Sequence, residues 1–172
     1  MNRKLLLLLL VLAFGIGALA QTSTDSWNKF TSDAGKFSVL FPGQPEENSA
    51  TEKGVLLHTF RVLARPRIYM VLYSDYPDAD LTLDIKTRLR AERDGFIKGG
   101  TEGKLISERE FKFKRGSTEL PALEFISEDG TIHYKSIVII DGRRVYFVCA
   151  GALQGNDSTS QFERFLGSFE LR

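Results

Sequence analysis

The sequence predicts an α+β fold in which a twisted antiparallel sheet is flanked by helices. Most of the chain consists of runs of β-branched and aromatic residues of strand length. Two Asp-Gly pairs, at residues 129–130 and 141–142, separate such runs, and this pairing is a strong signal for a β-hairpin. The hydrophobic period changes to a helical one in two segments only, which begin near Thr82 and Ser158.

The first twenty residues have the three parts of a secretory signal peptide. A basic pair at residues 3–4 precedes an apolar stretch at residues 5–20, which ends on Ala18 and Ala20 as a small-x-small cleavage signal. The apolar stretch has 16 residues, whereas a membrane-spanning helix needs about 20. Cleavage is therefore favoured over an uncleaved anchor helix. We expect a mature chain that begins at Gln21, has no membrane span and is exported to the periplasm or the medium.

The rest of the chain has ordinary globular composition. Residues 21–26 form a polar leader that we expect to be flexible, and residues 27–172 are predicted to form a single domain. The formal net charge of the whole sequence is +1, which argues against a strongly basic nucleic-acid binder. Cys149 is the only cysteine, so a disulfide scaffold within the chain is excluded.

The domain is predicted to open with a hairpin of residues 27–32 and 36–41. Apolar side chains alternate along the second run, which is typical of a half-buried strand. Pro42 and Pro45 follow, and proline cannot donate a hydrogen bond to a strand ladder. We therefore expect residues 43–53 to be a polar connection.

Six further runs have strand character. They comprise residues 55–64, 68–74, 105–114, 119–127, 131–140 and 143–152. The first two are joined by Arg65-Pro66-Arg67 and should pair antiparallel, and the last four should form a meander. Pro121 lies inside one of these runs, which predicts that this strand lies at an edge or starts late.

Two amphipathic helices are predicted. The first should run from about Thr82 to Gly99-Gly100, and the second should begin at Ser158, which has capping-box spacing to Gln161. The apolar stripes are Ile85, Leu89 and Phe96 in the first helix and Phe162, Phe165, Leu166 and Phe169 in the second. Each stripe should pack on the sheet.

Two motifs and the order of the elements resemble a known family. Residues 37–45 (Phe-Ser-Val-Leu-Phe-Pro-Gly-Gln-Pro) and 165–169 (Phe-Leu-Gly-Ser-Phe), with the central helix and the meander, resemble the PsbP-like α/β/α sandwich proteins. That family includes a photosystem oxygen-evolving-complex subunit, a Ran-binding nuclear import factor and secreted bacterial envelope proteins of the DcrB type. The resemblance covers about residues 27–172 and implies a non-catalytic subunit, adaptor or envelope accessory protein. The signal peptide fits the bacterial envelope branch.

No catalytic residue, cofactor or metal site is predicted. The Gly-x-Ser-x-Gly motif of many hydrolases is absent. Cys149 lies in an apolar run, where we expect a buried thiol with a raised pKa. His58 and His133 are the only histidines, and a zinc site would need further ligands from elsewhere. The carboxylate pairs Glu108/Glu110 and Asp78/Asp80 are predicted to be solvated surface groups.

The turn Arg65-Pro66-Arg67 is predicted to form part of a surface that binds a partner protein, which we call the partner patch. Arg65 and Arg67 lie at a sheet rim, and Tyr69 and Tyr73 follow on the next strand. We therefore predict an exported non-catalytic binding or accessory module of the bacterial cell envelope, whose partner is another envelope protein. The alternatives are a periplasmic carrier of a small apolar ligand held between helix and sheet and an enzyme without a recognisable motif.

Overall fold

The computed structural model describes residues 26–52, 54–77, 82–156 and 158–172. The predicted signal peptide, nearly all of the leader and the pair Asp78/Asp80 lie outside the described residues. Within them, no helix is long and apolar enough to cross a membrane.

The described residues form ten strands, two α-helices and a π-helical turn. The strands are β1 (Asn28–Ser32), β2 (Phe37–Phe41), β3 (Glu46–Glu52), β4 (Val55–Ala64), β5 (Arg67–Asp75), β6 (Lys104–Arg115), β7 (Thr118–Glu128), β8 (Ile132–Asp141), β9 (Arg144–Leu153) and β10 (Glu170–Leu171). The helices are α1 (Ile85–Gly95), which continues into the π-helical turn Phe96–Gly100, and α2 (Thr159–Gly167).

The strands form two antiparallel sheets. The larger has seven strands in the order β3-β4-β5-β9-β8-β7-β6, and the smaller has three in the order β1-β2-β10. The predicted antiparallel sheet, the β4–β5 pair and the meander from β6 to β9 are therefore confirmed. Gly130 and Gly142 follow the two turn aspartates with φ values of 86° and 61°, the left-handed conformation that glycine adopts without strain.

Two strand predictions need correction. The predicted polar connection at residues 43–53 contains β3, which pairs with β4 at the edge of the large sheet. Its side chains are mostly exposed, so the sequence shows no alternation of polar and apolar residues. Strand β7 is not an edge strand, because β6 lies outside it. On the side that faces β8, however, its pairing does start late, because the first paired residue is Ala122, directly after Pro121.

The two helices pack on opposite faces of the large sheet. Tyr146, Val148 and Ala150 of β9 belong to the same core as α2 and the small sheet. Phe147 and Cys149 of β9 belong to the core that includes α1. One face is thus covered jointly by a helix and three strands, so the molecule is richer in strand than the sequence predicted.

The helix boundaries differ from prediction by a few residues. Helix α1 begins at Ile85 because Asp84 caps it, with Asp84 Oδ1 accepting a hydrogen bond from the Thr87 amide at 3.1 Å. Ile85 is 38% exposed and does not belong to the packed stripe. The predicted capping box of α2 is wrong, because the Ser158 side chain makes no capping bond.

Candidate binding cleft

A cleft of about 290 Å³ lies between the start of α2 and the end of the β4–β5 hairpin. Its lining residues come from four separate parts of the chain. They are Trp27, Pro42, Ala64, Arg67, Tyr69, Ser160, Gln161 and Arg164. The wall formed by Trp27, Pro42, Ala64 and Tyr69 is largely apolar, and the remaining residues form a polar rim. We call this site the α2 cleft.

Two aromatic rings give the α2 cleft a rigid wall. The Trp27 and Tyr69 rings meet edge to face with centroids 5.3 Å apart. Tyr69 is 1% exposed and also contacts Phe165 of the core, at 5.2 Å. Burial raises the pKa of Tyr69, although the nearby Arg67 partly opposes the shift. Tyr69 is therefore a neutral phenol at physiological pH, able to donate a hydrogen bond.

Two guanidinium groups stand at the rim. Arg67 Nε donates a hydrogen bond to Ser158 Oγ at 2.9 Å. The Arg164 guanidinium lies over the Trp27 ring, 4.8 Å from its centroid, as in a cation–π interaction. Neither arginine forms an ion pair within the described part of the chain, whereas most described lysines and arginines do.

The structure divides the predicted partner patch. Arg67 and Tyr69 line the α2 cleft, and Arg65 is exposed in the adjacent turn. Tyr73 lies apart and is only 4% exposed, because it is stacked on His58 and covered by Arg144. Three of the four residues thus lie at one end of the hairpin, and both tyrosines are buried in the same core.

Sequence reasoning missed the residues that complete the α2 cleft. Trp27 and Pro42 precede the hairpin, and Arg164 is on a helix far along the chain. Trp27 is the only tryptophan in the sequence, which was the one available signal. The contribution of α2 follows from tertiary packing, which no local pattern reports.

A second polar cluster joins α1 to the β8–β9 turn. The Tyr76 hydroxyl donates to Glu92 Oε1 at 2.7 Å, and Arg88 Nη1 donates to the Gly142 carbonyl oxygen at 3.2 Å. Burial raises the pKa of the Glu92 carboxyl to about 7, against the lowering effects of Tyr76 and Arg88. Arg88 is 7% exposed, and its Nη2 atom has no hydrogen-bond partner. These groups hold α1 against the sheet.

The thiol of Cys149 is buried, as the sequence predicted. It is 3% exposed, and burial raises its pKa to about 12. At neutral pH it is therefore a thiol rather than a nucleophilic thiolate.

A Ser-x-x-Lys spacing, which some enzymes with a serine nucleophile contain, occurs at residues 26–29. Lys29 Nζ forms an ion pair with Glu170 Oε2 at 3.1 Å on the surface.

The two histidines and the carboxylate pair Glu108/Glu110 contact neighbouring side chains. His58 Nδ1 lies 2.9 Å from Ser49 Oγ, and the His133 ring lies against Phe162. Glu108 and Glu110 form ion pairs with arginines of α1. Among the residues that the structure describes, no group of three His, Cys, Asp or Glu side chains is placed to hold a metal ion.

Comparisons with known proteins bear on the fold. No protein-family model matches the chain, and no curated protein matches it either. A crystal structure of a protein from Bacteroides thetaiotaomicron is 14% identical, with a TM-score of 0.36 over 84% of this chain and 48% of that one, and it supports no inference. The solution structure of cyanobacterial PsbP (CyanoP) from Synechocystis is 17% identical, with a TM-score of 0.57 over 91% of this chain and 99% of that one. The chain therefore has a PsbP-like fold.

Proposed function

We propose that the protein is an exported, non-catalytic binding or accessory module of the bacterial cell envelope, and that it docks another envelope protein at the α2 cleft. The observation that carries the proposal is the combination of an apolar wall with arginines that have no carboxylate partner in the described chain. Trp, Tyr and Arg are the residue types that dominate binding energy at protein interfaces. We also propose that the protein is related to secreted bacterial envelope proteins of the DcrB type.

The α2 cleft is small. Small-molecule sites usually enclose about 300–1,000 Å³, and the α2 cleft, at about 290 Å³, lies at the bottom of that range. It has room for one or two side chains of a partner or for a small ligand.

A carrier of a small apolar ligand is the second candidate. The position of the α2 cleft between a helix and the sheet favours it, because ligand pockets are common at such places. The polar rim disfavours it, since an apolar ligand would leave Arg67 and Arg164 partly desolvated without a partner.

A photoreactive amino acid placed at Ser160 tests the docking proposal. Ser160 is an exposed residue of the cleft rim, and Lys112, an exposed residue of the edge strand β6, is the matched control position. Cells are irradiated, and adducts are identified by mass spectrometry. We expect a discrete protein adduct from position 160 only. Identical adducts from both positions, or none, would contradict the proposal, and a lipid or metabolite adduct would favour the carrier.

Export has its own test. If the signal peptide is cleaved after Ala20, the mature protein begins at Gln21. N-terminal mass spectrometry of protein from the periplasm or the medium should show that terminus. A terminus that retains Arg3 and Lys4 would contradict cleavage.

A further inference from the structure

We infer that the α2 cleft recognises a carboxylate next to an aromatic or large apolar group, presented by a segment of the partner protein. This inference rests on the proposed function and names the chemistry of that same site. Three features of the α2 cleft support it: its charge, the geometry of its donors and the nature of its wall.

The charge of the rim is unbalanced within the described chain. Arg67 and Arg164 form no ion pair with a described residue, and no Asp or Glu lines the α2 cleft. Arg65 adds a third positive charge in the adjacent turn. Since the protein as a whole is close to neutral, with a formal net charge of +1, this concentration of positive charge is local. An anionic group of the partner would complement it.

The donors are held in place before any ligand binds. The bond from Arg67 Nε to Ser158 Oγ restrains the guanidinium and leaves its two Nη groups available, the edge that binds a carboxylate. Arg164 is held over Trp27. Such preorganisation reduces the entropy lost on binding.

Two further groups favour an anion in the same place. Ser160 and Gln161 belong to the first turn of α2, whose backbone amides carry partial positive charge. Tyr69 is 1% exposed and lines the α2 cleft, yet its hydroxyl has no hydrogen-bond partner among the described residues. A carboxylate oxygen would accept from that hydroxyl.

The wall of the α2 cleft accommodates an apolar group beside the carboxylate. Trp27 and Ala64 are partly exposed there, whereas Pro42 and Tyr69 are buried, and a small inorganic anion would leave the exposed part of the wall uncovered. Aromatic rings pack well against such a surface, edge to face or offset-stacked. The combination points to a phenylalanine-like side chain with a neighbouring carboxylate.

The single tryptophan makes the test direct, because Trp27 fluorescence reports on the α2 cleft alone. The purified mature protein is titrated with N-acetyl-phenylalanine and, separately, with N-acetyl-phenylalaninamide, which lacks the carboxylate. Sodium chloride is added to keep the ionic strength equal. We expect a saturable fluorescence change with both probes and about tenfold tighter binding of the acid, because a charge-assisted hydrogen bond is roughly twice as strong as a neutral one.

Variants assign the preference for the acid to the arginines. Arg164→Gln and Arg67→Gln should each remove most of the preference for the acid over the amide, whereas Lys112→Gln on β6 should leave the binding of both probes unchanged. Circular dichroism checks that each variant is folded, and Arg164→Gln remains informative if Arg67→Gln is not. Three results would each overturn the inference. They are equal binding of the acid and the amide, a preference for the acid that survives both substitutions, and the absence of any saturable fluorescence change. If cross-linking at position 160 succeeds but the titration shows no binding, this inference alone is overturned. If the titration shows binding but cross-linking at position 160 yields no protein adduct, the proposed function is overturned.

Discussion

The two helices differ in whether their arginines form ion pairs with carboxylates of the described chain. On α1, Lys86, Arg90 and Arg93 form ion pairs with Glu108 and Glu110 of β6, at 3.1 Å for Lys86–Glu110 and 2.7 Å for Arg90–Glu110. We call these five residues the α1–β6 network. On α2, Arg164 lies over Trp27 and has no carboxylate partner among the described residues.

The difference separates charges that hold the fold from charges that are available to a ligand. The α1–β6 network joins a helix to an edge strand, and hydrogen bonds from Lys86 and Arg90 hold the pKa of Glu110 below its ordinary value. The positive charges at the α2 cleft receive no such compensation within the described chain. Stability should therefore depend on the first group, and binding on the second.

The largest expected effect concerns the support beneath the α2 cleft. Phe165 is fully buried and contacts both Phe41 and Tyr69. Phe165→Ala should lower the free energy of unfolding by about 3–5 kcal/mol, because it removes a large core side chain and leaves a cavity. Equilibrium denaturation measures this change. Leu153→Ala, at a position 44% exposed, is the control and should cost much less. Equal effects would show that α2 is not packed as described.

A pH effect tests a second contact between α1 and the sheet, which involves Glu92 and lies outside the α1–β6 network. The folded-state pKa of Glu92 is about 7, above its ordinary value of 4.5, so the native state binds the proton more tightly than the unfolded state does. Stability should therefore fall as pH rises from about 4.5 to about 7, by up to about 3 kcal/mol.

Glu92→Gln should remove that dependence. The variant should be more stable than the wild type above pH 7, because it cannot acquire a buried charge, and denaturation midpoints between pH 4 and pH 8 would show this. Glu119→Gln, at an exposed position of β7, is the control and should leave the pH profile unchanged. A profile that persists in Glu92→Gln would assign the effect to other groups.

Local patterns predicted most strands but only part of the α2 cleft. The meander was predictable because its turns are local and two contain Asp-Gly. The small sheet was not fully predictable, because β10 pairs with β2 across the length of the domain. Arg67 and Tyr69 were found because a turn and the alternation after it are visible in the sequence.

The burial of Tyr69 and Tyr73 has a physical cause. Alternation along β5 places Tyr69 and Tyr73 on the same face of the sheet, but it does not report what covers each position. Phe37 of the small sheet and Arg144 of β9 cover Tyr73, and Phe165 of α2 packs against Tyr69. Both rings are therefore buried, and only Tyr69 borders the α2 cleft. Depth of burial was therefore decided by residues distant in the chain.

The most direct test of the comparison is the free energy of unfolding of two matched variants, Arg93→Gln and Arg164→Gln. Both arginines lie in the last turn of their helix, and Arg and Gln have similar helix propensities, so helix effects cancel. Arg93→Gln should cost about 1.5–3 kcal/mol, because Arg93 is 11% exposed and pairs with both Asp94 and Glu108. Arg164→Gln should cost less than about 1 kcal/mol, the value of an exposed cation–π contact. An equal or larger loss for Arg164→Gln would show that this arginine serves the fold, and would contradict the assignment of the α2 cleft to binding.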